Sequence, residues 1–209
     1  AKMQLWFRRN GHRDAASCHA GPQADIHGLR EIAIVGSPNV GKSLLFQNLT
    51  GAYVAVSNYP GTTVEVYRGK GEIAGQPFAF VDTPGMYSLM PITEEERVAR
   101  SILLQERPAA VIHVVDAKNL ARMLPLTLQL LEADLPVVLV VNIMDEAQRL
   151  GIHIDPQALE EKLQIPVVAT VSTTGQGIDS LKKRLAEYVN GTHSDDPLRA
   201  VHRAGYPGD

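Results

Sequence analysis

The chain has 209 residues, enough for one well-buried α/β domain with tails. Its 20 Lys and Arg stand against 23 Asp and Glu, and a net charge of −3 gives no electrostatic ground for nucleic acid as a partner. One cysteine, Cys18, excludes an internal disulfide framework, and no apolar run reaches the roughly 18–20 residues that span a bilayer.

Residues 1–29 are polar, rich in His, Arg and Gly, and aperiodic, the pattern of a flexible arm. His12, Cys18, His19 and His27 are transition-metal ligands by type, but no regular ligand spacing joins them, so a solvated arm is expected. Trp6 and Phe7 beside Arg8 and Arg9 form one short cluster suited to a surface or a partner.

Short apolar runs then alternate with helical patterns. Strands are expected at Glu31–Val35, Phe78–Val81, Ala110–Val115, Val137–Val141 and Val167–Val171, with residues 64–73 as an edge strand. Helices are expected at Lys42–Leu49, Glu94–Gln105, Leu120–Glu132, Pro156–Leu163 and Ile178–Val189. This rhythm predicts an α/β fold: a doubly wound, mostly parallel sheet with flanking helices and ligands at the carboxyl ends of the strands. Residues 30–190 form the expected nucleotide-binding domain, and residues 191–209 read as a tail or truncated linker.

Gly36-Ser37-Pro38-Asn39-Val40-Gly41-Lys42-Ser43 follows a strand and opens a helix, the context a phosphate loop requires. Its glycines let the main chain wrap an anion, and the unpaired N–H groups of the first helical turn, through Leu44, add positive potential. Lys42 is placed to bridge the β- and γ-phosphates and Ser43 to bind Mg²⁺. Asp82-Thr83-Pro84-Gly85 closes a second apolar strand, where the carboxylate suits the Mg²⁺ water shell and the Gly85 N–H the γ-phosphate.

Asn142-Ile143-Met144-Asp145 ends another strand at the position where GTPases carry Asn-Lys-x-Asp. A carboxylate at 145 accepts from the guanine ring N–H and amino group, a donor pair that adenine lacks, while Asn142 orients the loop and contacts the base. Ile143 replaces the lysine, so weaker binding with unchanged base choice is expected. Ser172-Thr173-Thr174 follows the last strand, where a main-chain N–H, that of Thr173, would meet the guanine carbonyl. The four elements in this order specify a GTPase.

Between Ser43 and Asp82, the switch segment runs from Val56 to Glu65 through Gly61, Thr62 and Thr63. Thr63 is the expected Mg²⁺-sensing threonine, and Thr62 alternatively a mere β-former. Met86 stands after Gly85, where a glutamine would orient water. No arginine is an evident finger, with Arg68 and Arg97 the nearest options, so slow turnover is expected unless another charge assists.

The stretches 36–43, Asn58–Glu65, Asp82–Leu89 with Glu94–Arg100, and Asn142–Ala147 together resemble the cytosolic G domain of the bacterial ferrous iron transport protein B family. The resemblance covers about residues 30–190. It implies a GTP/GDP-binding, GTP-hydrolysing domain that regulates iron uptake at the cytoplasmic face of the inner membrane. Its implied partner is a membrane-embedded transport domain in the same polypeptide. It further implies K⁺ held against the phosphates by Asn39, with the Ser57 and Tyr59 carbonyls completing the site in place of an arginine finger. Two other readings remain open on the residues. One is a soluble RNA- or ribosome-associated GTPase, which shares this loop but would need an RNA-binding module. The other is a nucleotide-bound scaffold with negligible turnover.

Overall fold

The computed structural model describes residues 26–51 and 54–191; the metal-ligand candidates His12, Cys18 and His19, the Trp6–Arg9 cluster and the tail beyond 191 lie outside them. Seven strands form one sheet: β1 (Glu31–Val35), β2 (Val54–Asn58), β3 (Glu65–Ile73), β4 (Gln76–Asp82), β5 (Ala110–Asp116), β6 (Val137–Asn142) and β7 (Val167–Ala169). Among the described residues, six α-helices accompany them: α1 (Lys42–Thr50), α2 (Glu94–Ser101), α3 (Leu120–Glu132), α4 (Met144–Arg149), α5 (Pro156–Leu163) and α6 (Ile178–Val189). The strand order is β2-β3-β4-β1-β5-β6-β7. Pairing is parallel from β4 through β1 to β7 and antiparallel in β2-β3-β4.

Period-2 alternation sends each central strand into two cores. In β6, Val137, Leu139 and Val141 face one side, and Val138 and Val140 the other. The first core lies under α2 to α5; the second receives Leu45, Phe46 and Leu49 from α1 and Leu181 and Leu185 from α6. Burial on both faces explains why β5 and β6 read as unbroken apolar runs. Short parallel crossovers leave the loops after β1, β4, β6 and β7 together at one end of the sheet.

The fold differs from expectation in four places. Residues 64–73 are not the edge, because β2 pairs outside β3, Asn58 opposite Glu65. The helix expected over 94–105 is α-helical only to Ser101 and finishes as a π turn over Ile102–Glu106, before Arg107 at φ 50° and Pro108 stop it. The last strand ends at Ala169, because Thr170 and Ser172 turn away to bond Asn142. A further short helix, α4, follows β6 where none was expected. Among the described residues no helix is long and apolar enough to cross a membrane.

Candidate functional site

The loop 36–43 leaves β1 and enters α1 through Gly41 at φ 89°. A Cβ on Gly41 would lie 2.4 Å from Asn142 Nδ2, so the approach of these two loops requires glycine. Asn39 is exposed and left-handed at φ 65°, a conformation asparagine tolerates better than most residues. Its side chain therefore points outward from a loop that its own backbone helps to shape. Ser37, Val40 and Lys42 are buried.

Lys42, Ser43 and Asp82 meet at the start of α1. The Ser43 hydroxyl donates to Asp82 Oδ2 at 2.8 Å. Burial lowers the Lys42 pKa, opposed by the charge of Asp82. Burial also raises the Asp82 pKa, opposed by Lys42 and by the Ser43 hydrogen bond. Among the described residues, Asp82 Oδ1 is a buried side-chain oxygen without a hydrogen-bond partner. Such an atom is costly unless a further donor or cation meets it.

Past Asp82, Thr83 is tied to β1 by its N–H and hydroxyl, both donating to the Ile34 carbonyl. Gly85 packs on Pro38, where a Cβ would come within 2.8 Å of the ring. The Met86 N–H donates to the Gly36 carbonyl at 3.1 Å, and its side chain is fully buried in the first core. The residue in the glutamine position is thus a core residue that faces away from the loop. The next turn hangs on Glu96, whose carboxylate accepts from the N–H groups of Ile92 at 2.9 Å, Thr93 at 3.3 Å and Tyr87 at 3.4 Å. These backbone bonds, Ile92's foremost, lower the Glu96 pKa against its burial. Thr93 completes a capping box with Glu96, and Gln129 on α3 accepts the Leu89 N–H.

Asn142 joins three loops. Its Nδ2 donates to the Val40 carbonyl at 2.9 Å, and its Oδ1 accepts from Thr170 Oγ1, Ser172 N and Ser172 Oγ. The side chain is buried, and its carbonyl is saturated by protein donors. Ile143 adopts φ 63° and ψ 34°, a strained state for a β-branched residue, and turns the chain into α4. Asp145 opens that helix half-exposed, held by one ion pair with Arg149 at 3.5 Å. Lys118, in the 3₁₀ turn after β5, pairs with Glu146, and that bond raises its pKa. In the loop 172–174, Ser172 is buried, Thr173 is exposed, and the Thr174 hydroxyl donates to the Val171 carbonyl. The Ser172 carbonyl accepts from Asn48 of α1 at 2.8 Å.

The switch segment is a closed hairpin end. Tyr59 N–H donates to the Val64 carbonyl, and the Tyr59 carbonyl accepts from both the N–H and the hydroxyl of Thr62. Thr62 therefore has a local turn-forming role, while Thr63 is exposed. Ser57 is a paired residue of β2, opposite Val66. Arg68 is engaged by Glu31 and Glu106, while exposed Arg97 donates its Nε–H to the Thr93 carbonyl. Arg68 lines a groove of about 800 Å³ with His27, Arg30 and Arg107, beside the amino-terminal ends of β1 and β5 and so opposite the phosphate loop. Among the described residues no cluster of three or more His, Cys, Asp or Glu side chains is arranged to hold a metal.

The roles of Asn48, Lys118, Gln129 and Thr170 escaped the sequence reading, as did that of Glu96 within the stretch Glu94–Arg100. Only Glu96 had a local signal, the Thr93-x-x-Glu96 pattern.

The family model described as "Ferrous iron transport protein B" matches residues 30–185. The Fe(2+) transporter FeoB of Salmonella typhimurium is 40% identical over 177 residues, which cover 83% of this chain and 22% of that protein. The chain thus spans about a fifth of the length of the curated relatives it matches. The cytosolic domain of the T. maritima FeoB iron transporter in its GDP form I superposes with a TM-score of 0.74 at 40% identity, over 81% of this chain and 65% of that one. The same domain in its GMPPNP form gives 0.72 at 39% identity, over 77% and 64%. With its phosphate-loop fold and these matches, the chain belongs to the ferrous iron transport protein B family.

Proposed function

We propose that residues 30–190 bind guanine nucleotide and hydrolyse GTP slowly, as the regulatory G domain of a ferrous iron transporter. The constellation of Lys42, Ser43 and Asp82 carries this reading: a buried ammonium, a hydroxyl and a carboxylate with one unpaired oxygen at a helix N-terminus. That is the chemistry of a phosphate chain with a hard cation. Relatives of the same fold crystallise with GDP and with GMPPNP.

In this reading the main-chain N–H groups between Gly36 and Leu44, Pro38 alone lacking one, cradle the phosphates, and Lys42 bridges the β- and γ-groups. Asp145 accepts from the guanine ring, Ile143 lies against the base, and the Thr173 N–H meets the guanine carbonyl. Asn142 holds the phosphate loop and the loop after β7 in register, and the second N–H of its amide is left for the base. The oxygens of Ser43 and Asp82 fit Mg²⁺, with Thr63 joining in the GTP state. Bound there, the ion would offset phosphate charge. Gly85 N–H bonds the γ-phosphate and helps position the attacking water, since the buried Met86 leaves no side chain for that task.

Asn39, outward-facing on the loop, suits a K⁺ ligand. The Ser57 and Tyr59 carbonyls would join it after the Tyr59–Thr62 turn opens. The full-length protein would place this domain at the cytosolic face of a membrane, coupled to a transport domain in cis. The buried Met86 also favours the second reading, a nucleotide-bound scaffold with negligible turnover; an RNA-associated GTPase has no such support.

Single-turnover GTP hydrolysis with Mg²⁺ in KCl and in NaCl tests the proposal. Turnover faster in KCl, with the difference erased by Asn39→Ala, is expected; equal rates in both salts would remove the cation, and no turnover would leave the scaffold.

A further inference from the structure

Asp145 has little to hold it. Its one ion pair, to Arg149, is long and exposed, and the helix beneath it starts from a strained Ile143. The Met144 N–H reaches the Thr170 carbonyl at 3.3 Å, a weak anchor.

A stronger tether comes from the neighbouring strand. Asp116 ends β5 directly opposite Asn142 in the parallel ladder. Its carboxylate is buried and accepts from the Lys118 N–H and from Asn119 Nδ2, both at 2.9 Å. The root of Lys118 is thereby fixed in a capped turn. From there its side chain runs to Glu146, the residue after Asp145, with its ammonium 3.9 Å from Asp116. One lysine stem thus fastens the end of β5 to the first turn of α4.

We propose that Lys118 is a positioning residue for guanine recognition, acting through Glu146 to fix the helical turn that presents Asp145. The inference rests on the reading of Asp145 as the guanine-binding carboxylate. Both members of the pair are partly exposed, so the expected effect is about two- to fivefold. That is small beside loss of Asp145 itself.

The test compares GDP with IDP, which lacks the 2-amino group that Asp145 would contact. Titration calorimetry gives both affinities for the native chain, Lys118→Met, Lys118→Arg, Glu146→Gln and the Lys118→Met/Glu146→Gln pair. Lys118→Met keeps the aliphatic stem and should lower the GDP preference over IDP about two- to fivefold, with Lys118→Arg restoring it. The double variant should match the single ones, as expected of a coupled pair. An unchanged GDP-to-IDP ratio in Lys118→Met, or additive effects in the double variant, overturns the inference while guanine reading stands. Native protein that binds ADP as tightly as GDP overturns both.

Discussion

Asn142 and Val40 lie 102 residues apart in sequence, yet the side-chain amide of one donates to the main-chain carbonyl of the other at 2.9 Å. The phosphate loop and the end of β6 are therefore tied directly to one another. The same side chain accepts from Thr170 and Ser172, so a third loop is registered against the first two.

Removing that hub as Asn142→Ala leaves several buried polar groups unpaired. The loss expected is about 1–3 kcal/mol of stability, read by urea denaturation, with GDP affinity falling as well. Stability within experimental error of the native chain would show that the three loops hold themselves.

Asp145→Asn exchanges an acceptor for an amide that can donate. GDP binding should weaken at least about tenfold, and xanthosine diphosphate should become the better ligand. Competition against a fluorescent nucleotide measures this. A variant that keeps its preference for GDP would place base reading elsewhere.

Glu96 holds the turn 86–93 by three N–H bonds. Glu96→Ala should speed amide exchange at Ile92 and Thr93 about tenfold, the weight of one charge-assisted hydrogen bond, and leave β5 and β6 protected. Since its folded pKa is lowered, the Glu96 contribution is present above about pH 4.5, the ordinary value, and disappears as pH falls through the folded one. Exchange followed with the pH effect on intrinsic rates divided out should show this loosening, and Glu96→Gln should flatten it.

His113, on β5, is fully buried against Thr127, its Nδ1 3.0 Å from the hydroxyl. Burial pushes its pKa down to about 3. Above pH 6.5 neither state is protonated there, and the residue adds no pH dependence. Between pH 6.5 and about 3 the unfolded chain binds the proton and the folded one does not, so stability falls on acidification, by up to about 1.4 kcal/mol per unit. Urea midpoints at pH 7.5 and 5.5 should diverge in the native chain and converge in His113→Asn. Equal divergence in both would assign the slope to other groups.

Much of the fold was legible because burial wrote it locally. β1, α5 and α6 have the bounds read from apolar runs and flanking Pro and Gly. β5 and β6 announced themselves as continuous apolar stretches. By contrast, β2 exposes Val56 and gains its conformation from the ladder with β3, so no alternation marks it. The six-residue α4 is too short for a helical period to register.

The phosphate loop was legible because a few contiguous residues must do its work. The hydrogen bonds that arrange the rest were not. Asn48 meets Ser172 across 124 residues, and an isolated asparagine carries no sign of so distant a partner. Met86 was read as a missing glutamine, whereas its burial makes it a packing residue. A single letter cannot distinguish the two.

At the sheet margin, among the described residues, β2 has a neighbour on one side only. Peeling it away would forfeit one short ladder, and residues 55–58 belong to neither core, so both stay closed beneath β3 to β7. The domain wears this strip as a hem sewn to the cloth, one whose loss would not unpick the weave.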